Sequence, residues 1–166
     1  MAHRPRCYVA SPLGFSEAGR HYYSHVLLPA LRGLVEPVDP WALIPQAEIA
    51  EAAARGEEEQ MAKTIGEANC KELRTCEFLI AVLDGQEIDA GTAAEVGYGS
   101  AVGLTCFGLR TDYRETGEPG ATVNLQVESF ITLSGGRIAT RLEELLELLE
   151  ESITSGMRRS ALRDAE

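Results

Sequence analysis

Phe78-Leu-Ile-Ala-Val-Leu83 is an unbroken apolar run, and Asp84-Gly-Gln-Glu-Ile-Asp-Ala-Gly-Thr-Ala-Ala-Glu95 follows it directly. Consecutive apolar residues cannot alternate between core and water, so the run reads as a central parallel strand covered on both faces. The small-residue segment Thr92 to Val102 reads as a helix stopped at Gly103. This order of strand, acidic loop and helix puts Asp84, Asp89 and Glu95 beyond the carboxyl end of a strand. In open α/β sheets that is where ligands bind.

The same alternation extends outward in both directions. Cys7-Tyr-Val-Ala10 is a short apolar strand ending at Ser11-Pro12. Ser16 to Leu31 reads as a helix capped by Ser16, with Gly19 and Pro29 as weak points, and Leu34-Val35 with Val38 suggests a second strand. Gln46 to about Leu73 is helical with a break near Gly56, and Met61, Ile65, Ala68 and Leu73 form its expected buried face. Leu104 to Phe107 is a further strand, Arg110 to Gly120 a polar loop, and Val123 to Leu133 a short helix or strand-helix mixture. Leu142, Leu145, Leu146, Leu149 and Ile153 recur at helical spacing, with a frayed tail expected from Gly156. Strands alternating with helices imply a single α/β domain, 1–166, with a mostly parallel sheet.

Composition narrows the partners. The chain has 166 residues, 26 acidic against 15 basic, for a formal charge of −11. That balance argues against a nucleic-acid polymer, whose phosphates need clustered Lys and Arg, but not against a neutral nucleoside. Glu57 to Glu59 and Glu143 to Glu151 read as solvated helix faces. Cys7, Cys70, Cys76 and Cys106 form no CxxC pair and are expected as free, mostly buried thiols. No apolar run approaches the ~18 residues of a membrane span. Met-Ala-His-Arg-Pro-Arg has no apolar stretch behind it, so no secretory signal is expected and a cytoplasmic, reduced setting follows as the default.

Each candidate group has a competing structural role. Thr92-Ala-Ala-Glu95 fits a capping box with Thr92 as N-cap, yet a carboxylate there also faces the ligand crevice, held ionised by the helix N-terminus. Asp89 fits a turn before Gly91, and Asp84-Gly85 fits a strand-to-loop turn. Desolvation and mutual repulsion among the three acids would split their pKa values and leave one protonated, able to donate to a departing base. Tyr8 is either a packed strand aromatic or a site residue. Asn69 and Asn124 carry no signal by themselves. His21 and His25 lack a third metal ligand. Ser11-Pro-Leu-Gly14 has no phosphate-cradling glycine pattern. The apolar Asp39-Pro40-Trp41-Ala-Leu-Ile-Pro45 loop suggests a pocket wall or a subunit contact.

Tyr8-Val-Ala-Ser-Pro-Leu13, Asn69-x-x-x-Leu73, Cys76-Glu77, Leu83-Asp84-Gly85, Asp89-x-Gly-Thr-Ala-x-Glu95-Val-Gly-Tyr98 and Asn124-Leu125 together resemble the nucleoside 2-deoxyribosyltransferase family. The Asp-x-Gly-Thr-Ala-x-Glu block is the specific part. The resemblance implies a doubly wound, mostly parallel five-stranded sheet with helices on both faces, flavodoxin- or Rossmann-like. It implies transfer of 2-deoxyribose between nucleobases with no metal or organic cofactor, on nucleosides and free bases. Glu95 would be the nucleophile, Asp89 would contact and help protonate the base, and Tyr8 would orient Glu95. Asn69 would hold the sugar or base, with Ser11, Asp84, Gly85 and Gly91 completing the substrate-binding set. Asn124 would reach the 5′-hydroxyl in a neighbouring subunit, since family members form homo-oligomers that share sites. Some members end in an aromatic residue whose carboxylate completes the adjacent site, and Arg163-Asp-Ala-Glu166 departs from that pattern.

Two other functions compete. Water in place of an acceptor base makes the protein an N-glycosidase of nucleosides or their 5′-monophosphates, with Arg20 as a group to meet a phosphate. A non-catalytic nucleoside-binding module is the third reading. The Trp41 loop is expected to help set base preference.

Overall fold

The computed structural model describes residues 4–163. Strands β1 (Arg6–Ala10), β2 (Glu36–Val38), β3 (Phe78–Val82), β4 (Thr105–Leu109) and β5 (Ile138–Ala139) form one sheet in the order β2-β1-β3-β4-β5. Every pairing is parallel. The winding therefore reverses between β1 and β3, and the crevice that such a reversal opens lies beyond their carboxyl ends. Ser11 follows β1 and Asp84 follows β3, so the two loops meet there.

Among the described residues seven α-helices accompany the strands: α1 (Glu17–Tyr22), α2 (Leu28–Leu31), α3 (Gln46–Ala54), α4 (Glu58–Leu73), α5 (Ala90–Ala101), α6 (Leu125–Leu133) and α7 (Leu142–Arg163). The strict two-residue alternation of the strands builds two cores. Cys7, Val9, Phe78, Ile80, Val82 and Leu109 pack against Leu27, Leu31, Leu145 and Leu149 from α7 and the first helical stretch. Tyr8, Ala10, Leu79, Ala81, Leu83 and Cys106 pack on the other face against Leu73, Val96, Val127 and Ile131 of α4, α5 and α6. The buried run Phe78 to Val82 is the central strand expected, covered on both sides.

Several local expectations change. The helix after Ser16 is capped as expected, Ser16 Oγ accepting from Gly19 N–H at 3.0 Å, but it widens into a π segment at Tyr23–Leu27. Pro29 lacks the N–H that would continue the ladder, and the wider turn absorbs the loss. Of the expected buried face of α4, only Leu73 is fully buried. β5 has two residues and lies in a segment the sequence reading leaves unassigned; it is too short to carry a periodic signal. The backbone of α7 continues past Gly156 to Arg163, where the sequence suggests fraying; residues 164–166, including the terminal carboxylate, lie outside the described residues. All four cysteines are free, and Cys7, Cys76 and Cys106 are buried. Among the described residues no helix is long and apolar enough to cross a membrane.

Candidate active site

α5 brings Glu95 to the sheet. The helix is built from small residues, and Gly99 lies so close that a Cβ there would meet Leu79 Cδ1 at 3.0 Å. That close approach sets α5 directly over β1, β3 and β4. Tyr8 on β1 points to the same face, fully buried, and its hydroxyl donates to Glu95 Oε1 at 2.6 Å. A strand aromatic and a helix carboxylate, 87 positions apart, are thus joined through one short hydrogen bond.

The capping box expected at Thr92 does not form. Asp89 is the N-cap: its Oδ2 accepts from Thr92 N–H at 2.9 Å and from Thr92 Oγ1 at 3.2 Å. Because Asp89 takes the cap, the helix begins at Ala90 and Glu95 falls in its second turn, where the helix N-terminus no longer governs its ionisation. Burial instead pushes the Glu95 carboxyl above the ordinary glutamate value. The Tyr8 hydrogen bond opposes that rise and the nearby Asp89 charge adds to it. Tyr8 itself is driven upward by burial and by Glu95, so the hydroxyl keeps its proton and remains the donor.

Glu95 and Asp89 border a cleft of about 310 Å³, together with Ser11, Asn69, Gly91 and Thr92. The rest of the lining is apolar: Phe15, Pro40, Trp41 and Ile65. Both cap bonds fall on Asp89 Oδ2, which leaves Oδ1 outside the cap. Asn69 Oδ1 is buried without a hydrogen-bond partner, an arrangement proteins seldom leave unfilled. One carboxylate oxygen held by a hydroxyl, a second carboxylate nearby and an orphaned amide acceptor beside an apolar wall suit a flat polar ligand and displacement at carbon.

The family model for nucleoside 2-deoxyribosyltransferase matches residues 7–134 of this chain. The chain belongs to the nucleoside 2-deoxyribosyltransferase family.

Solved structures agree on the fold. A conserved protein from Enterococcus faecalis V583 is 26% identical with a TM-score of 0.69, the alignment covering 90% of this chain and 99% of that one. A 2-desoxiribosyltransferase from Leishmania mexicana is 24% identical with a TM-score of 0.63, over 88% and 97% of the two chains. A CMP N-glycosidase from Clostridium botulinum shares 14% identity and a TM-score of 0.54, over 87% and 98%. A search of the curated proteins returns no match.

Within this deoxyribosyltransferase-family chain, three expected substrate contacts, Asp84, Gly85 and Asn124, stand apart from the lining of the Glu95 cleft. Asp84 spends its carboxylate on the neighbouring loop, accepting from Thr111 N–H and Oγ1, each at 2.6 Å, and from Asp112 N–H at 2.8 Å. Gly85 turns the chain there at φ 124°, a conformation that strongly favours glycine, and its N–H donates to Asp112. Its carbonyl, with those of Leu83 and Arg114, accepts from the buried Arg110 guanidinium. Asn124 caps α6, its Oδ1 accepting from Gln126 and Val127 N–H, and it borders a separate concavity with Glu87, Ile88 and Thr116. Arg20 is exposed and donates to the Gly14 carbonyl at 3.0 Å.

The sequence reading assigns no site role to Ile65 or Thr92. Ile65 misleads because an apolar residue at helical spacing looks like core. Arg110, 2% exposed, sits in a loop that composition alone marks as mobile.

Proposed function

We propose that this protein transfers 2-deoxyribose from one nucleobase to another by two successive displacements. Glu95 Oε2 attacks the anomeric carbon of a deoxynucleoside. The carbon–nitrogen bond breaks, its electron pair stays with the base nitrogen, and a proton from an acid at Asp89 neutralises the leaving base. A second base then attacks the same carbon through its ring nitrogen, expels the Glu95 carboxylate and returns its proton to Asp89. Two inversions leave the β-anomer unchanged.

The single observation that carries this reading is the Tyr8–Glu95 hydrogen bond inside a cleft that also holds Asp89. It fixes one carboxylate oxygen and leaves the other to react, which is what a nucleophile needs and a cap does not. Membership of the family supports the substrate class. We further infer a homo-oligomer with shared sites. Asn124 lies outside the lining of its own chain's Glu95 cleft, and α6 beyond it exposes Leu125 and Leu133.

The test is chromatographic. Deoxyinosine incubated with a panel of free bases yields new deoxynucleosides in the native protein and none in Glu95→Ala. Base release that is equal with and without an acceptor means that water, not a base, completes the reaction. Saturable nucleoside binding with no product in either protein means a binding module and ends the enzymatic reading.

A further inference from the structure

Trp41 is the only tryptophan in the chain, it borders the cleft that contains Glu95, and it is gripped from several sides. Asp39 Oδ1 accepts from the Trp41 backbone N–H at 3.0 Å and caps the 3-10 turn Pro40–Ala42. The same oxygen accepts from the Tyr23 hydroxyl, also at 3.0 Å, and Tyr23 is anchored in the core at 4% exposure. Trp41 Nε1 donates to the Ser11 carbonyl at 3.3 Å. The Phe15 ring meets the indole at 88°, with centroids 4.7 Å apart.

Gly14 closes the grip. A Cβ at Gly14 would fall 2.2, 2.3 and 2.5 Å from Trp41 Cε2, Cδ2 and Cζ2. Those atoms surround the ring fusion, so the glycine lies over the indole face rather than beyond its edge. Backbone thus occupies the space into which the ring would otherwise withdraw. The indole packs against the hydrophobic core yet stays partly exposed at the cleft, fixed through a core tyrosine, a capping carboxylate and a bare backbone. It is a held apolar surface in a cleft whose lining also carries polar groups.

We propose that Trp41 sets the size of the planar heteroaromatic base that the cleft admits, and that Gly14, Asp39 and Tyr23 are positioning residues that keep its ring in place. The proposal rests on the deoxyribosyl-transfer reading for its substrate class, though its first test does not need turnover. Trp41 reports on its own surroundings by fluorescence. Titrating free adenine and free cytosine into Glu95→Ala gives a saturable change in tryptophan emission if a base meets this ring. Binding seen by calorimetry with no change in emission overturns the proposal.

In the active protein, Trp41→Ala shifts the ratio of kcat/KM for adenine over cytosine as acceptor by about tenfold toward the larger base. An equal loss with both bases shows that Trp41 only supports the fold. Tyr23→Phe removes one hydroxyl and no volume. It raises the KM for the acceptor base more than it lowers kcat, and a fall in kcat with KM unmoved contradicts the positioning role. Gly14→Ala loses at least about tenfold in kcat/KM, and Gly14→Ala/Trp41→Leu regains most of it; no recovery in the double variant also counts against the proposal. Bases that alter the emission without any sugar transfer sink the enzymatic reading and leave Trp41 assigned. Transfer with an unmoved base ratio does the reverse.

Discussion

The Tyr8 hydroxyl donates to Glu95 Oε1 at 2.6 Å, tying β1 to the second turn of α5. This bond has two consequences, each with its own readout. It orients the carboxylate, and it offsets part of the upward push that burial gives Glu95. Tyr8→Phe removes both effects. Transfer slows by about 10–100-fold, and the acid limb of the pH–rate profile moves to higher pH, because the ionised carboxylate has lost a stabilising donor. A slower variant whose acid limb stays put would show that the hydroxyl acts only as a spacer.

Glu95→Gln separates activity from stability. Transfer falls by about 10³-fold or more, since an amide is no nucleophile. Folded Glu95 titrates above the ordinary value of 4.5 because of burial. The unfolded chain therefore releases this proton at a lower pH than the fold does. The stability associated with it is fully present below the unfolded value and is lost as pH rises through the folded one. The amide of the variant cannot ionise, so at pH 7 Glu95→Gln has the higher Tm, and the gap closes in acid below the ordinary glutamate range. Thermal melts of the two proteins across that range give the answer, and equal Tm values throughout contradict it.

Asn69→Leu is expected to help the fold and harm the site. Asn69 Oδ1 is buried with no partner, and removing such an acceptor recovers about 1 kcal/mol. Nucleoside binding weakens at the same time, because Asn69 borders the cleft. Urea unfolding and calorimetric titration are read together: lower stability with intact affinity would make Asn69 an ordinary structural residue.

Asp84→Ala acts in the opposite sense. Its carboxylate accepts three hydrogen bonds from Thr111 and Asp112. Losing them costs about 1–3 kcal/mol in urea unfolding. A large loss of affinity without loss of stability would show instead that Asp84 binds substrate.

Shared sites predict complementation. Glu95→Ala and Asn124→Ala are each inactive or weak alone. Co-expressed in equal amounts as dimers, they recover about a quarter of the native sites, since half the dimers are mixed and each mixed dimer holds one intact site. No recovery from a mixed dimer isolated by two tags argues that each chain completes its own site.

Much of this is legible in the sequence for physical reasons. The run Phe78 to Leu83 has no polar residue to give water, so only a doubly covered strand accommodates it. Glycines and small residues from Gly91 to Gly99 leave α5 free to approach the sheet. What escapes depends on where single side chains spend their hydrogen bonds. Asp89 and Thr92 both suit an N-cap, and which of them takes it decides whether Glu95 is a cap partner or a free carboxylate. Asp84 and Asp89 look alike in the loop, yet Asp84 turns to Thr111, far along the chain. The sequence marks the Trp41 loop as a candidate pocket wall, but Trp41's partners Tyr23, Ser11 and Gly14 come from a separate stretch that local periodicity does not connect.

The central claim is that the sugar is carried, between bases, on Glu95. A deoxyribosyl analogue bearing a fluorine on the arabino face slows release of such an ester and traps it. Peptide mass mapping after incubation is expected to find one added pentosyl group on the peptide that contains Glu95, lost again when a free base is supplied. An adduct on another residue, or continued turnover with no adduct in a rapidly quenched sample, contradicts the account.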